Sequence, residues 1–219
     1  MSPRGRAAQR RRESADATSD QRQARRVQIQ SSLLQIIENT GKPLGEVQIS
    51  EIATGVGPKG ISPASVYTYY GTKEEVLREA AEARLLELIG QVDLRFHRTE
   101  TFGEYVTRFI GAMISLWEEN AAVLRAAAGL AACGPEYQRW WQGLFVPWAK
   151  PFRSAVEEAR ATGELPEVPG DLDMLINIAS WAVASSCQQM MAVPETEWDR
   201  HLLHRTLTLA VCRILGDPC

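Results

Sequence analysis

The chain has 219 residues, 45% of them hydrophobic and 23% charged, with a net charge of −3. That balance suits a soluble globular protein with a substantial core, neither disordered nor membrane-spanning. No apolar run approaches the roughly 20 residues of a membrane helix, so no membrane partner is expected.

Residues 1–20 are polar, Arg-rich and without periodicity, and are expected to form a disordered basic tail. No apolar segment follows Arg11-Arg12, so export by a twin-arginine signal is not expected and a cytoplasmic location is. Arg4, Arg6, Arg10, Arg11, Arg12, Arg22, Arg25 and Arg26 stand against Glu13, Asp16 and Asp20, so this end is basic and the body acidic. A first helix is predicted from about Asp20 to Asn39. Val27, Ile29, Leu33, Leu34, Ile36 and Ile37 form its apolar face, and Gly41 and Pro43 stop it.

The stretch from Gln48 to Lys73 reads as two short helices joined by a glycine-rich turn. Ile49, Ile52, Ala53 and Val56 make one apolar face, with Leu44, Val47 and Val66 expected inside as well. Ser62 can cap the second helix and Pro63 suits its first position. Two such helices form a helix-turn-helix, whose second helix enters the DNA major groove. Gly55 to Gly60 also spells G-x-G-x-x-G, but a helix precedes it and no sheet is predicted, so it reads as a turn and not a nucleotide site.

Thr72-Lys73-Glu74-Glu75 reads as a capping box opening a long helix to about His97. Further helices are predicted over Phe102–Glu118, Asn120–Cys133, Pro135–Arg160, Asp171–Ala192 and Thr196–Leu215, and no strand pattern appears. The fold class is therefore all-α, in two unequal parts. Cys133, Cys187, Cys212 and Cys219 show no metal-ligand spacing and read as buried small hydrophobes plus a free C-terminal thiol.

Ile52-Ala53, Gly57, Ser62, Tyr67, Tyr69-Tyr70 and Thr72-Lys73-Glu74-Glu75-Val76-Leu77 fall in an order that resembles the DNA-binding domain of the TetR family of transcriptional regulators. The resemblance implies an N-terminal three-helix helix-turn-helix domain over residues 21–71 and a C-terminal six-helix ligand-binding and dimerisation domain over 72–219. It implies a homodimer on a palindromic double-stranded DNA operator, acting as a repressor and released by a mostly apolar small-molecule effector, without a cofactor. It places Tyr67 and Lys73 on phosphates, with Gln48 able to bond a phosphate though poor as a cap. Arg25, Lys59, Ser62, Ala64, Ser65 and Thr68 complete the expected DNA-binding set. The family passes directly from the turn glycine to the residue before the capping serine; Pro58-Lys59-Gly60 is inserted here, which puts the docking geometry in question. The run from Ile114 to Leu165 resembles the EthR-like branch, which has a long aromatic-lined tunnel.

Three stripes at helical spacing are the candidate tunnel lining: Phe109, Met113 and Trp117; Trp141, Phe145 and Trp148; and Asn177, Ser180 and Trp181. Such stripes are often plain core. Six tryptophans and an asparagine facing an apolar lining favour a ligand pocket. Leu175, Ile178, Ala182, Ser185 and Met190, with Leu203, Leu207, Ala210, Val211 and Ile214, are the expected dimer surface. The alternatives are an all-α carrier of hydrophobic ligands with weakened DNA recognition, and a metal enzyme built on His201, His204 and Glu197. No catalytic constellation supports the latter, and neither metal nor catalytic residues are expected.

Overall fold

The computed structural model describes residues 3–168, 170–191, 193 and 198–216, with side chains from residue 19 onward. Among these residues the chain is all-helical, with ten α-helices and one short 3-10 turn. It divides into two units, Met1–Glu82 and Ala83–Cys219.

In the first unit, α1 (Pro3–Thr40) supplies Ile29, Leu33 and Ile37 to a core completed by later elements. These are Val47 after the 3-10 turn Leu44–Glu46, Ile52 and Ala53 of α2 (Ile49–Thr54), Val56, and Val66 of α3 (Pro63–Tyr69). The first turns of α4 (Lys73–Gln91) add Val76, Leu77 and Ala80, so this unit reaches past the boundary expected at residue 71. Val27, expected on the apolar face of α1, is exposed, and the polar Ser32 is buried in its place.

The second unit is built around α5 (Phe102–Glu119), started by a capping box between Thr101 and Glu104. It buries Phe102, Tyr105, Phe109, Met113 and Trp117 on one stripe, against α8 (Val146–Ala161), α9 (Leu172–Met190) and α10 (Arg200–Leu215). Helices α6 (Ala121–Ala131) and α7 (Pro135–Gly143) pair with each other. Asn120, at the α5–α6 junction, is buried; it donates to the Leu116 carbonyl at 2.9 Å and accepts from Arg84 Nε at 3.2 Å.

Four element boundaries differ from expectation, each for a physical reason. Helix α1 continues back to Pro3, where a disordered tail was expected. Arg and Ala dominate there, and they favour helix without leaving any burial pattern to read. Helix α4 stops at Gln91 and not near His97. The Asp93 carboxylate takes the Arg95 N–H at 3.1 Å, while Arg108 bonds the Asp93 and Arg95 carbonyls, so tertiary donors replace the helical ladder. The single helix expected from Pro135 breaks after Gly143, since Pro147 has no N–H to return to that carbonyl. Asp199 caps α10, accepting from His201 and Leu202 N–H at 2.8 and 3.1 Å; the expected cap, Thr196, lies outside the described residues.

Candidate nucleic-acid interface and ligand cavities

The α2–α3 turn is shaped by close approach and by two left-handed residues. Gly57 and Gly60 have φ of 66° and 65°, which a side chain rarely tolerates. At Gly55 the constraint is space: a Cβ there would overlap Ser32 Oγ. That hydroxyl is buried and donates to the Ile52 carbonyl at 2.8 Å, tying α1 to the end of α2. The Ile61 N–H then returns to the Ala53 carbonyl at 2.9 Å, so the inserted Pro58-Lys59-Gly60 forms a closed outward turn with Lys59 exposed on it.

Helix α3 starts as its residues dictate. Ser62 accepts from the Ser65 N–H at 3.1 Å and pairs with the Ser65 hydroxyl at 2.8 Å. Ala64, Tyr67 and Thr68 are exposed, Tyr67 by 57%, while Val66 faces inward. A short exposed face of small, hydroxyl and phenol groups thus flanks an exposed lysine. The exposed Gln48 precedes α2, and its N–H donates to Glu51 Oε2 at 2.8 Å, so glutamate completes the cap that Gln48 was expected to make poorly. Arg25 is half-buried on α1. Lys73 acts within the fold, its Nζ donating to the Gly45 and Val47 carbonyls, both at 3.0 Å.

Behind this face lies a polar cluster that no local sequence pattern marks. Tyr70 is buried, accepts from Gln30 Nε2 at 2.8 Å and donates to Glu79 Oε2 at 3.1 Å. Arg26 lies 4.2 Å over its ring, donates to the Tyr69 carbonyl at 2.7 Å and pairs with Glu79. Burial pushes the Tyr70 phenol up to about 12, with Gln30 opposing and Glu79 adding to the rise. A raised tyrosine pKa leaves stability intact below about pH 10, the unfolded value, and removes it as pH climbs toward 12. Wild type should therefore lose protection of the α1 and α4 amides over that window in hydrogen exchange, and Tyr70→Phe should lose less. An identical alkaline loss in both proteins would refute the assignment.

In the second unit the nine expected lining residues divide into three groups. Phe109, Met113, Phe145, Trp148 and Ser180 line a narrow internal cavity of about 30 Å³. Asn177 and Trp181, again with Phe145 and Ser180, line an outer groove of about 760 Å³ between α8 and α9. Trp117 and Trp141 line neither. They are buried packing partners of Phe145, whose ring stacks on Trp117 at 5.6 Å and meets Trp141 edge-on at 5.0 Å. Phe152 and Val183 of the inner cavity escaped the sequence reading, although Phe152 lies four residues after Trp148 on the same helix face.

No protein-family model matches the chain, and no curated protein matches it in sequence. Solved structures do match. The transcriptional regulator FadR from Bacillus subtilis, in complex with stearoyl-CoA, superposes with a TM-score of 0.64 at 16% identity, over 88% of this chain and 98% of that one. A TetR-family transcriptional regulator from Streptomyces coelicolor gives 0.67 at 18% identity, over 88% and 80%. RolR in complex with resorcinol gives 0.59 at 16% identity, over 91% of each chain. The fold is that of the TetR-family regulators.

In this TetR-type fold the outward faces of α9 and α10 carry exposed Met174, Ile178, Trp181, Leu202 and Leu209. Met190, Leu207 and Val211, expected on a dimer surface, are buried within their own chain. Cys133, expected inside, is exposed, while Cys187 and Cys212 are buried; Cys219 lies outside the described residues. Of the histidine set, Glu197 also lies outside the described residues, and His204 Nε2 pairs with the Thr107 carbonyl at 2.8 Å. Among the described residues no helix is long and apolar enough to cross a membrane.

Proposed function

We propose that the chain is a cytoplasmic, ligand-responsive transcriptional regulator that binds a palindromic operator as a homodimer, represses, and is released by a mostly apolar small molecule. The observation that carries the reading is the exposed face of α3, where Ala64, Tyr67 and Thr68 lie bare beside the exposed Lys59 turn. Small and hydroxyl side chains suit close approach to base edges and thymine methyls, and Tyr67 with Lys59 suits phosphates. Ser62 and Ser65 fix the start of that helix, with Arg25 and Gln48 as flanking contacts. Lys73 serves first to hold the segment before α2 in place. The Arg-rich start of the chain adds phosphate neutralisation.

Two copies would join through the exposed apolar face of α9 and α10, as a four-helix bundle about a two-fold axis. Effector binding in the second unit then shifts the population between operator-matched and mismatched dimers. The aromatic lining is what supports the narrower likeness to the EthR-like branch. The stearoyl-CoA and resorcinol held by the fold neighbours support effector binding in general.

Fluorescence anisotropy of the purified chain with DNA from its own promoter neighbourhood, across a salt series, tests this. Saturable binding to one inverted repeat is expected. Tyr67→Ala should weaken it about tenfold without moving Tm, since the side chain is exposed. Removing residues 1–18 should flatten the salt slope by about 0.9 for each phosphate no longer neutralised. Affinity no better than for random DNA would leave the carrier reading in its place.

A further inference from the structure

The inner cavity and the outer groove share one wall, made of Phe145, Ala149, Ser180 and Ala184. Phe145 is its only aromatic member, half-buried, and it sits in the break between α7 and α8 where the helical ladder is interrupted. Cavity and groove thus adjoin across this wall.

We propose that they form a single site for an uncharged molecule whose inserted end is apolar and carries one oxygen acceptor, with the Trp148 indole N–H as its donor. This rests on the reading of the second unit as the effector-binding part; Met174, Ile178 and Trp181 line the groove and also lie on the α9 face of the proposed dimer, so the partner copy would cover the groove's outer side.

Charge comes first. Neither lining contains a Lys, Arg, His, Asp or Glu. A carboxylate or phosphate drawn into such a lining is desolvated with no counter-charge to offset the loss. The inner cavity therefore selects against a charge on the inserted end.

The donor comes second. Trp148 is 2% exposed and lines the inner cavity, and its Nε1–H is buried without an acceptor. A buried donor left unmade is costly, so an oxygen brought to it by a ligand recovers that cost. Water suits the place poorly: among the inner lining residues only Trp148 and Ser180 carry a side-chain N–H or O–H, where a buried water usually takes about three partners. The rest of the inner lining is aliphatic or aromatic, which suits an alkyl or aryl tail.

A matched trio separates these claims: 4-phenylbutan-2-one, n-butylbenzene and 4-phenylbutanoate, titrated calorimetrically into the full chain and into Trp148→Phe. The ketone should bind wild type about tenfold more tightly than the hydrocarbon, the worth of one buried hydrogen bond. The carboxylate should bind at least about tenfold more weakly than the ketone, because its charge is unpaired. In Trp148→Phe the gap between ketone and hydrocarbon should close while hydrocarbon affinity persists, which also shows that the variant is folded. Equal affinities for ketone and carboxylate, an undiminished gap in the variant, or binding of none of the three would overturn the proposal. If all three fail while another compound releases the chain from its operator, the regulator reading stands and only this site assignment falls.

Discussion

Replacing Trp117 with alanine is expected to cost the second unit about 3–5 kcal/mol, a larger stability effect than any other substitution proposed for this chain. The side chain is fully buried, stacks flat on Phe145 and meets Trp141 edge-on at 5.9 Å. Its removal leaves a hole flanked by two rigid rings that cannot collapse into it without leaving their own contacts. Its Nε1–H is buried without an acceptor, so Trp117→Phe gives up no hydrogen bond and should cost far less, about 1 kcal/mol. All six tryptophans, Trp117, Trp140, Trp141, Trp148, Trp181 and Trp198, belong to this unit, so denaturant unfolding followed by indole fluorescence reports on it alone. The prediction fails if Trp117→Ala unfolds at the wild-type midpoint.

The second large effect belongs to the other unit. Gly55→Ala should destabilise it by about 1–3 kcal/mol, because the new methyl must displace Ser32 Oγ and with it the hydrogen bond to the Ile52 carbonyl. Swinging Ser32 away relieves the overlap but leaves that buried carbonyl with less than its native pairing. Ser32→Ala alone should cost about 1 kcal/mol. The double variant should be more stable than the two separate losses imply, since the hydroxyl that clashes is already gone. Hydrogen exchange of the α1 and α2 amides measures the cycle; strict additivity would show that the close approach of Ser32 is not what makes glycine necessary. The proposed DNA affinity should fall as well, since α3 packs on α2.

Much of the first unit was legible in the residues. Ser62, Pro63, the apolar spacing of Ile52, Ala53 and Val66, and the glycine turn act within a few residues of one another, so local chemistry determines them. The same holds for Tyr67, read as a surface contact and found exposed. The aromatic stripes too were visible as stripes, because helical period alone places Phe109, Met113 and Trp117 on one face.

What each stripe touches was decided only by packing. Trp117 and Trp148 have the same period and the same chemistry, yet one is a packing partner of Phe145 and the other lines a cavity. The difference depends on packing at the break between α7 and α8, where Phe145 stacks on Trp117 and also lines the cavity with Trp148. Lys73 likewise looks like a free cation in sequence, but two carbonyls more than twenty residues earlier come within reach of it. The same holds for Glu79, which meets Arg26, Gln30 and Tyr70 only because α1 and α4 are brought together. Period and caps are written along the chain; which faces meet depends on contacts between residues far apart in it, and no local pattern carries those.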